Sequence, residues 1–231
     1  MAGPLMVLDA LEQDALTELV NIGVSRAAAS LRKMVGRQVL LSVPAVELVS
    51  RKVATALIGE RESDELIAVC QDFIGAISGR ALLIFPLSNS MELVRAVLGE
   101  HDSGDVADME HEALAEIGNV ILNGCLATMA NLLRESLNIS LPQVRRGNGM
   151  HLFQIIGEPS DEGLVLFLYI NFSLHDRDVR GYIAMLMDLA SLESLKLLIG
   201  EFIARVMHDD PEANPGAFGP EPFGPGAFGN E

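Results

Sequence analysis

An eight-residue pattern occurs twice in this chain, and no other feature restricts its fold as strongly. Asp14-Ala-Leu-Thr-Glu18-Leu-Val-Asn21 returns as Glu112-Ala-Leu-Ala-Glu116-Ile-Gly-Asn119, and a Pro stands 23 positions after each Asn, at Pro44 and Pro142. The offset between the copies is 98 at the Glu, the Asn and the Pro alike. Two copies of one surface follow, and with them two related halves in a chain of 231 residues, long enough at roughly 150 residues per domain for one domain or two packed halves.

The halves read alike. Leu11, Ala15, Leu19 and Ile22 recur at helical spacing, and the stretch from Asp9 to Met34 contains no Pro, so one long amphipathic helix is expected there. Val39 to Val43 reads as a strand closed by Pro44, because Pro cannot donate to a ladder. Val53 to Ile58, Glu65 to Phe73 and Arg80 to Phe85 are short apolar runs between Gly, Ser and Asp residues and read as further strands. A helix capped by Ser88 or Asn89 and closing at Gly99 completes the half. The pattern restarts with a long helix from Met109 to Glu135, strands near Ile139 to Val144, Met150 to Ile156, Leu164 to Asn171 and Val179 to Met187, and a last helix from Ser191 to Val206.

Toward the ends of the halves, Arg80 to Glu100 aligns without a gap on Gly181 to Glu201 at an offset of 101, which places three extra residues in a loop between Pro142 and Gly181. Neither half is expected to bury its sheet alone. The predicted fold is α/β (α+β), a single pseudo-two-fold-symmetric unit in which two repeats of long helix, several strands and closing helix share one sheet. Repeats are expected at 1–100 and 109–208, with a linker at 101–108 rich in Gly, Asp and His. Residues 209–231 form a low-complexity tail that repeats Pro-Gly-Ala-Phe-Gly and cannot build a core.

Charge excludes some functions. A formal net charge of −16 repels phosphate backbones and anionic lipid, so nucleic acid and membrane surfaces are not expected partners. The tail carries five of the acidic residues and no Lys or Arg. The N-terminus shows no signal-peptide pattern and no uninterrupted run reaches the ~20 apolar residues of a span, so a cytoplasmic protein is expected. Cys70 and Cys125 show neither a disulfide nor a metal spacing and read as buried thiols, and the five His residues lack ligand spacing. No cofactor of the protein's own is expected. Arg145 and Arg146 read as a solvated strand end.

At about 100° per residue, Asp14, Glu18, Asn21 and Ser25 fall within a sector of about 60° on the first helix, turned away from Leu11, Ala15 and Leu19. Glu112, Glu116, Asn119 and Asn123 form the matching stripe. Helix formation does not call for Asn there, since its side chain competes for backbone hydrogen bonds. An amide can accept from and donate to a water molecule without acting as a base, and a carboxylate three residues away on the same face can anchor a cationic partner.

Asp or Ser, three residues, Glu, two residues, Asn, 22 residues and Pro, present twice up to about residue 207, resembles the CheC-type phosphatases of bacterial chemotaxis, relatives of CheX and FliY. The resemblance implies hydrolysis of the aspartyl phosphate on a CheY-like response regulator, with Glu18, Asn21, Glu116 and Asn119 as two active-site pairs. It also implies a divalent metal, Mg, in the bound receiver domain and, in systems that have it, a CheD receptor deamidase as partner. Asp14, Glu112, Pro44 and Pro142 are supporting residues. Glu112 departs from the pattern, so the first copy is expected to be the stronger. The alternative is a non-catalytic adaptor that binds the phosphorylated regulator or a CheD-like deamidase; a flagellar-switch component ranks last, since no additional β-rich switch domain is present. A monomer is expected, because pseudo-symmetry supplies within one chain the contact that a one-site relative makes between chains.

Overall fold

The computed structural model describes residues 8–36, 39–62, 65–98, 106–154, 164–174 and 177–208. Asp9 and Glu12 open the first helix, α1 (Ala10–Val35), by exchanging side chain to backbone hydrogen bonds of 2.8 Å in each direction, a capping box that satisfies two otherwise orphaned amides. The helix stops where Gly36 turns left-handed at φ 68°. Its counterpart α4 (Val106–Leu133) begins inside the segment expected to link the halves, and Arg134, 98 positions after Gly36, adopts φ 62°. The backbone of the repeat is thus kept where the residue type is not.

All strands pair antiparallel in one seven-stranded sheet: β1 (Val39–Ser50), β2 (Leu66–Gly75), β3 (Gly79–Pro86), β4 (Leu137–Ile139), β5 (Gln143–Gly147), β6 (Leu164–Leu174) and β7 (Arg177–Met187). The order is β1-β6-β7-β3-β2-β4, with β5 also on β2. The halves exchange edges, since β1 of the first half adds to the second half's β6, while β4 and β5 add to the first half's β2. They meet in the middle at β3 and β7, where Leu82 lies opposite Ala184.

That central pair lies on the pseudo-two-fold. Ala81, Leu83 and Phe85 share one core layer with Ile183, Met185 and Met187, and Leu82 and Ile84 share the other with Ala184 and Leu186. Side chains alternate along a strand, so only an even offset keeps related residues on one face. An offset of 102 does this and also aligns the starts of the closing helices, α3 (Leu87–Leu98) and α6 (Leu189–His208). It replaces the gapless offset of 101 read from the sequence, which puts related strand residues on opposite faces.

Helices α1, α3, α4 and α6 pack on one face of the sheet. The other face is covered by two short helices, α2 (Arg51–Arg61) and α5 (Gly149–Gln154). Both were expected as strands, over Val53 to Ile58 and Met150 to Ile156. Ser50 caps α2 by accepting from the Val53 amide at 3.3 Å, and Asn148 accepts from the His151 amide at 2.8 Å at the start of α5. Only Ala54 and Ile58, a helical turn apart, face the core from α2, a period hidden in an apolar run. Two more expectations are corrected: β1 runs through Pro44 instead of ending there, and the strand expected over Ile139 to Val144 is interrupted between β4 and β5. Cys70 and Cys125 are buried free thiols, and burial pushes Cys125 up to about 12 and Cys70 up to about 11. Residues 155–163 and the tail from 209 lie outside the described residues.

Candidate functional site

In the first copy, Asp14 and Glu18 are exposed on α1 and Asn21 is half-buried, turned toward β1. The Val43 amide donates to Asn21 Oδ1 at 3.3 Å. That amide is free to do so because the β1–β6 ladder shifts register between Ser42 and Ala45, around Pro44, which has no N–H to keep the ladder regular. The spacing of Asn to Pro therefore has a physical meaning, for it sets a bulge of the edge strand against the Asn oxygen. About two turns earlier, Gln13 Nε2 donates to the Val46 carbonyl at 3.2 Å and fixes α1 on the same strand.

In the second copy, Glu112 and Glu116 are exposed on α4 and Asn119 is half-buried. Asn119 Oδ1 accepts two hydrogen bonds, from Asn123 Nδ2 at 2.7 Å and from Gln71 Nε2 at 3.1 Å. Gln71 Nε2 also donates to the Ser140 carbonyl at 2.9 Å, and the Asp72 amide donates to Ser140 Oγ at 2.9 Å. The turn that carries Pro142, between β4 and β5, is thus tied to β2 and through it to Asn119. Here too the register on the partner strand shifts by one residue, between Ile139 opposite Phe73 and Gln143 opposite Cys70, while the Ser140 amide still donates to the Asp72 carbonyl at 2.8 Å.

Glycine makes this approach feasible. A Cβ on Gly118 would meet Val69 Cβ at 2.5 Å, so β2 comes against α4 where a side chain would hold it off. The first copy has the buried Val20 at the corresponding place. Gln71, two residues beyond Val69 on the same face of β2, is 1% exposed, and its Oε1 has no partner among the described residues. Sequence reading passed over Gln71, although the signal was there: it is the first uncharged polar residue inside the apolar run that begins at Leu66.

Asp14, Glu18, Glu112 and Glu116 form no hydrogen bond or ion pair among the described residues, so four carboxylates are free to meet a partner. The two copies lie on α1 and α4, which pack side by side, but face opposite edges of the sheet, one at β1 and one at β4 and β5. Five strand spacings separate those edges, on the order of 20 Å along the sheet. Arg145 and Arg146 are exposed near the end of β5, as expected, and Arg146 also pairs with the largely buried Glu110 of α4 at 2.8 Å. Among the described residues no group of three or more His, Cys, Asp or Glu is gathered as for a metal. A cleft of about 560 Å³ on the far face, where Arg61 lies 4.3 Å over the Tyr169 ring, contains none of the predicted site residues.

The family model described as Chemotaxis phosphatase CheX matches residues 67–159, a span that holds Glu112, Glu116, Asn119 and Pro142. The CheC-like family model matches residues 11–48, which hold Asp14, Glu18, Asn21 and Pro44. Over these two stretches the chain is similar to the CheX and CheC-like families. It is 24% identical over 204 residues to the CheY-P phosphatase CheC of Bacillus subtilis, covering 82% of this chain and 94% of the relative. It is 21% identical over 140 residues to the flagellar motor switch phosphatase FliY of the same organism, covering 59% of this chain and 36% of FliY. The crystal structure of Thermotoga maritima FliY shares the fold, with a TM-score of 0.68 at 18% identity over 85% of this chain and 100% of that one.

Proposed function

We propose that this chain is a member of the CheC/CheX/FliY family and hydrolyses the aspartyl phosphate of a CheY-like response regulator, with Glu18 and Asn21 as one active-site pair and Glu116 and Asn119 as the other. The observation that carries the reading is the duplicated pairing of a partner-free Glu with an Asn whose oxygen is held by the fold, so that its NH2 is the part left to act. An acyl phosphate is already reactive, and the receiver domain supplies its own divalent metal and Lys, so positioning is the main contribution left to this chain. The Asn amide holds a water molecule in line with the phosphorus. As the water oxygen bonds to phosphorus, the bond from phosphorus to the Asp carboxyl oxygen breaks, leaving inorganic phosphate and a free carboxylate. Each Glu pairs with the receiver's Lys and fixes the approach, while Asp14 and Glu112 flank it.

Two sites on opposite edges suit one receiver each, and the sheet shared within one chain suits action as a monomer. The test is the decay of phosphorylated receiver in the presence of substoichiometric protein. The parent is expected to shorten its lifetime, and a folded Asn21→Ala, Asn119→Ala double variant to leave it at the intrinsic value. A double variant as active as the parent sinks the proposal. A parent that binds the phosphorylated receiver and lengthens its lifetime makes the chain an adaptor instead.

A further inference from the structure

Gln71 lies outside the repeated pattern, in the strand run between the two copies. It is buried to 1% exposure, yet its Oε1 has no partner among the described residues, and both N–H groups of its amide are committed, one to Asn119 Oδ1 and one to the Ser140 carbonyl. A buried amide with an unmet acceptor is an unfavourable way to fill a core position. The pseudo-symmetry shows what an unfunctional filling looks like. Gln71 lies opposite Ala81 on β3, the residue related to Ala81 is Ile183, and Ile183 lies opposite Leu168 on β6, which is fully buried. The first copy thus has Leu where the second has Gln, and Ser25 where the second has Asn123.

We infer that Gln71 is a positioning residue of the second site, locking the Asn119 amide so that only its NH2 faces the receiver. A carbonyl oxygen has two lone pairs, and both of Asn119's are taken, by Gln71 and by Asn123. The side chain cannot flip without breaking both bonds, so it meets the attacking water or a phosphoryl oxygen as a fixed donor. Asn21, held by one longer contact to Val43, lacks this lock. The bond to Ser140 extends the clamp to the turn before Pro142, so helix, strand and turn are fixed at one atom. The inference rests on the phosphatase reading of the site.

The probe is Gln71→Met in the full chain, which keeps the shape and removes both donors. In an Asn21→Ala background, where the second site alone turns over phosphorylated receiver, it is expected to lower kcat about tenfold with KM within about twofold. In an Asn119→Ala background the loss is expected to be at least about fivefold smaller. Equal losses in the two backgrounds, or a change confined to KM, overturn the inference. A second measurement does not depend on turnover: the Asn119 side-chain NH2 signals in 15N NMR, assigned by their disappearance in Asn119→Ala, are expected to shift and to gain mobility in Gln71→Met. Signals left unmoved overturn the inference, whatever the rates. If the double Asn variant stays active, the phosphatase reading fails while the NMR result still judges the clamp.

Discussion

Asn21 and Asn119 are the same side chain at the same place in two related helices, yet the fold holds them by different means. One backbone amide at 3.3 Å holds the first, and two side-chain donors at 2.7 and 3.1 Å hold the second. A preorganised group gives more to a transition state than one that must be ordered at the moment of reaction. Asn119→Ala is therefore expected to cost more phosphatase activity than Asn21→Ala, by about tenfold, in single-variant decay assays. The sequence ranks the copies the other way, on the strength of Glu112 alone. Glu112 is exposed on its helix like Asp14, so both acids are placed to meet a partner. The pairs themselves were legible, because two chemically unusual residues recurred at one spacing. Gln71 was not, because a single polar residue in a strand shows its purpose only when its neighbours are known. Its unmet oxygen destabilises the fold by about 1–3 kcal/mol, an expense set against the site it holds.

At the scale of elements, the contact of α4 with β2 decides whether Gln71 reaches Asn119 at all. Gly118 permits it, since an added Cβ would overlap Val69 at 2.5 Å, and the Val69 Cβ is fixed to the strand backbone and cannot swing aside. Gly118→Ala is expected to lower stability by about 1–3 kcal/mol in chemical denaturation and to weaken the second site more than the first. Stability near that of the parent, with the two sites equally active, would contradict this account of the contact. The long helices were plain in the sequence from their 3.6-residue period and their freedom from Pro. The short ones were not: α2 and α5 each give two hydrophobic side chains to the core, and an apolar run so brief fits either period until the opposing sheet selects one. Pro44 was misjudged for a related reason. An edge strand tolerates a bulge that an interior strand does not, and edge position is a property of the sheet.

At the scale of the whole molecule, each half completes the other's sheet. The first half without β6 leaves β1 unpaired, and the second without β2 leaves β4 and β5 unpaired. The full chain is expected to unfold in one cooperative transition, and residues 1–100 alone to show none, as read by circular dichroism against denaturant. A cooperative transition in the isolated half would show that the exchanged strands are not needed. The sequence by itself determined the duplication, the two long helices, the Glu and Asn pairs and the absence of a metal-ligand spacing, because these depend on period and residue type along the chain. The tertiary structure alone decided the exchange of edges, the offset of 102 between the central strands, and the lock on Asn119. Each of these is a relation between residues far apart in sequence, fixed by which face of a strand meets which helix, and a one-residue slip in register reverses that face.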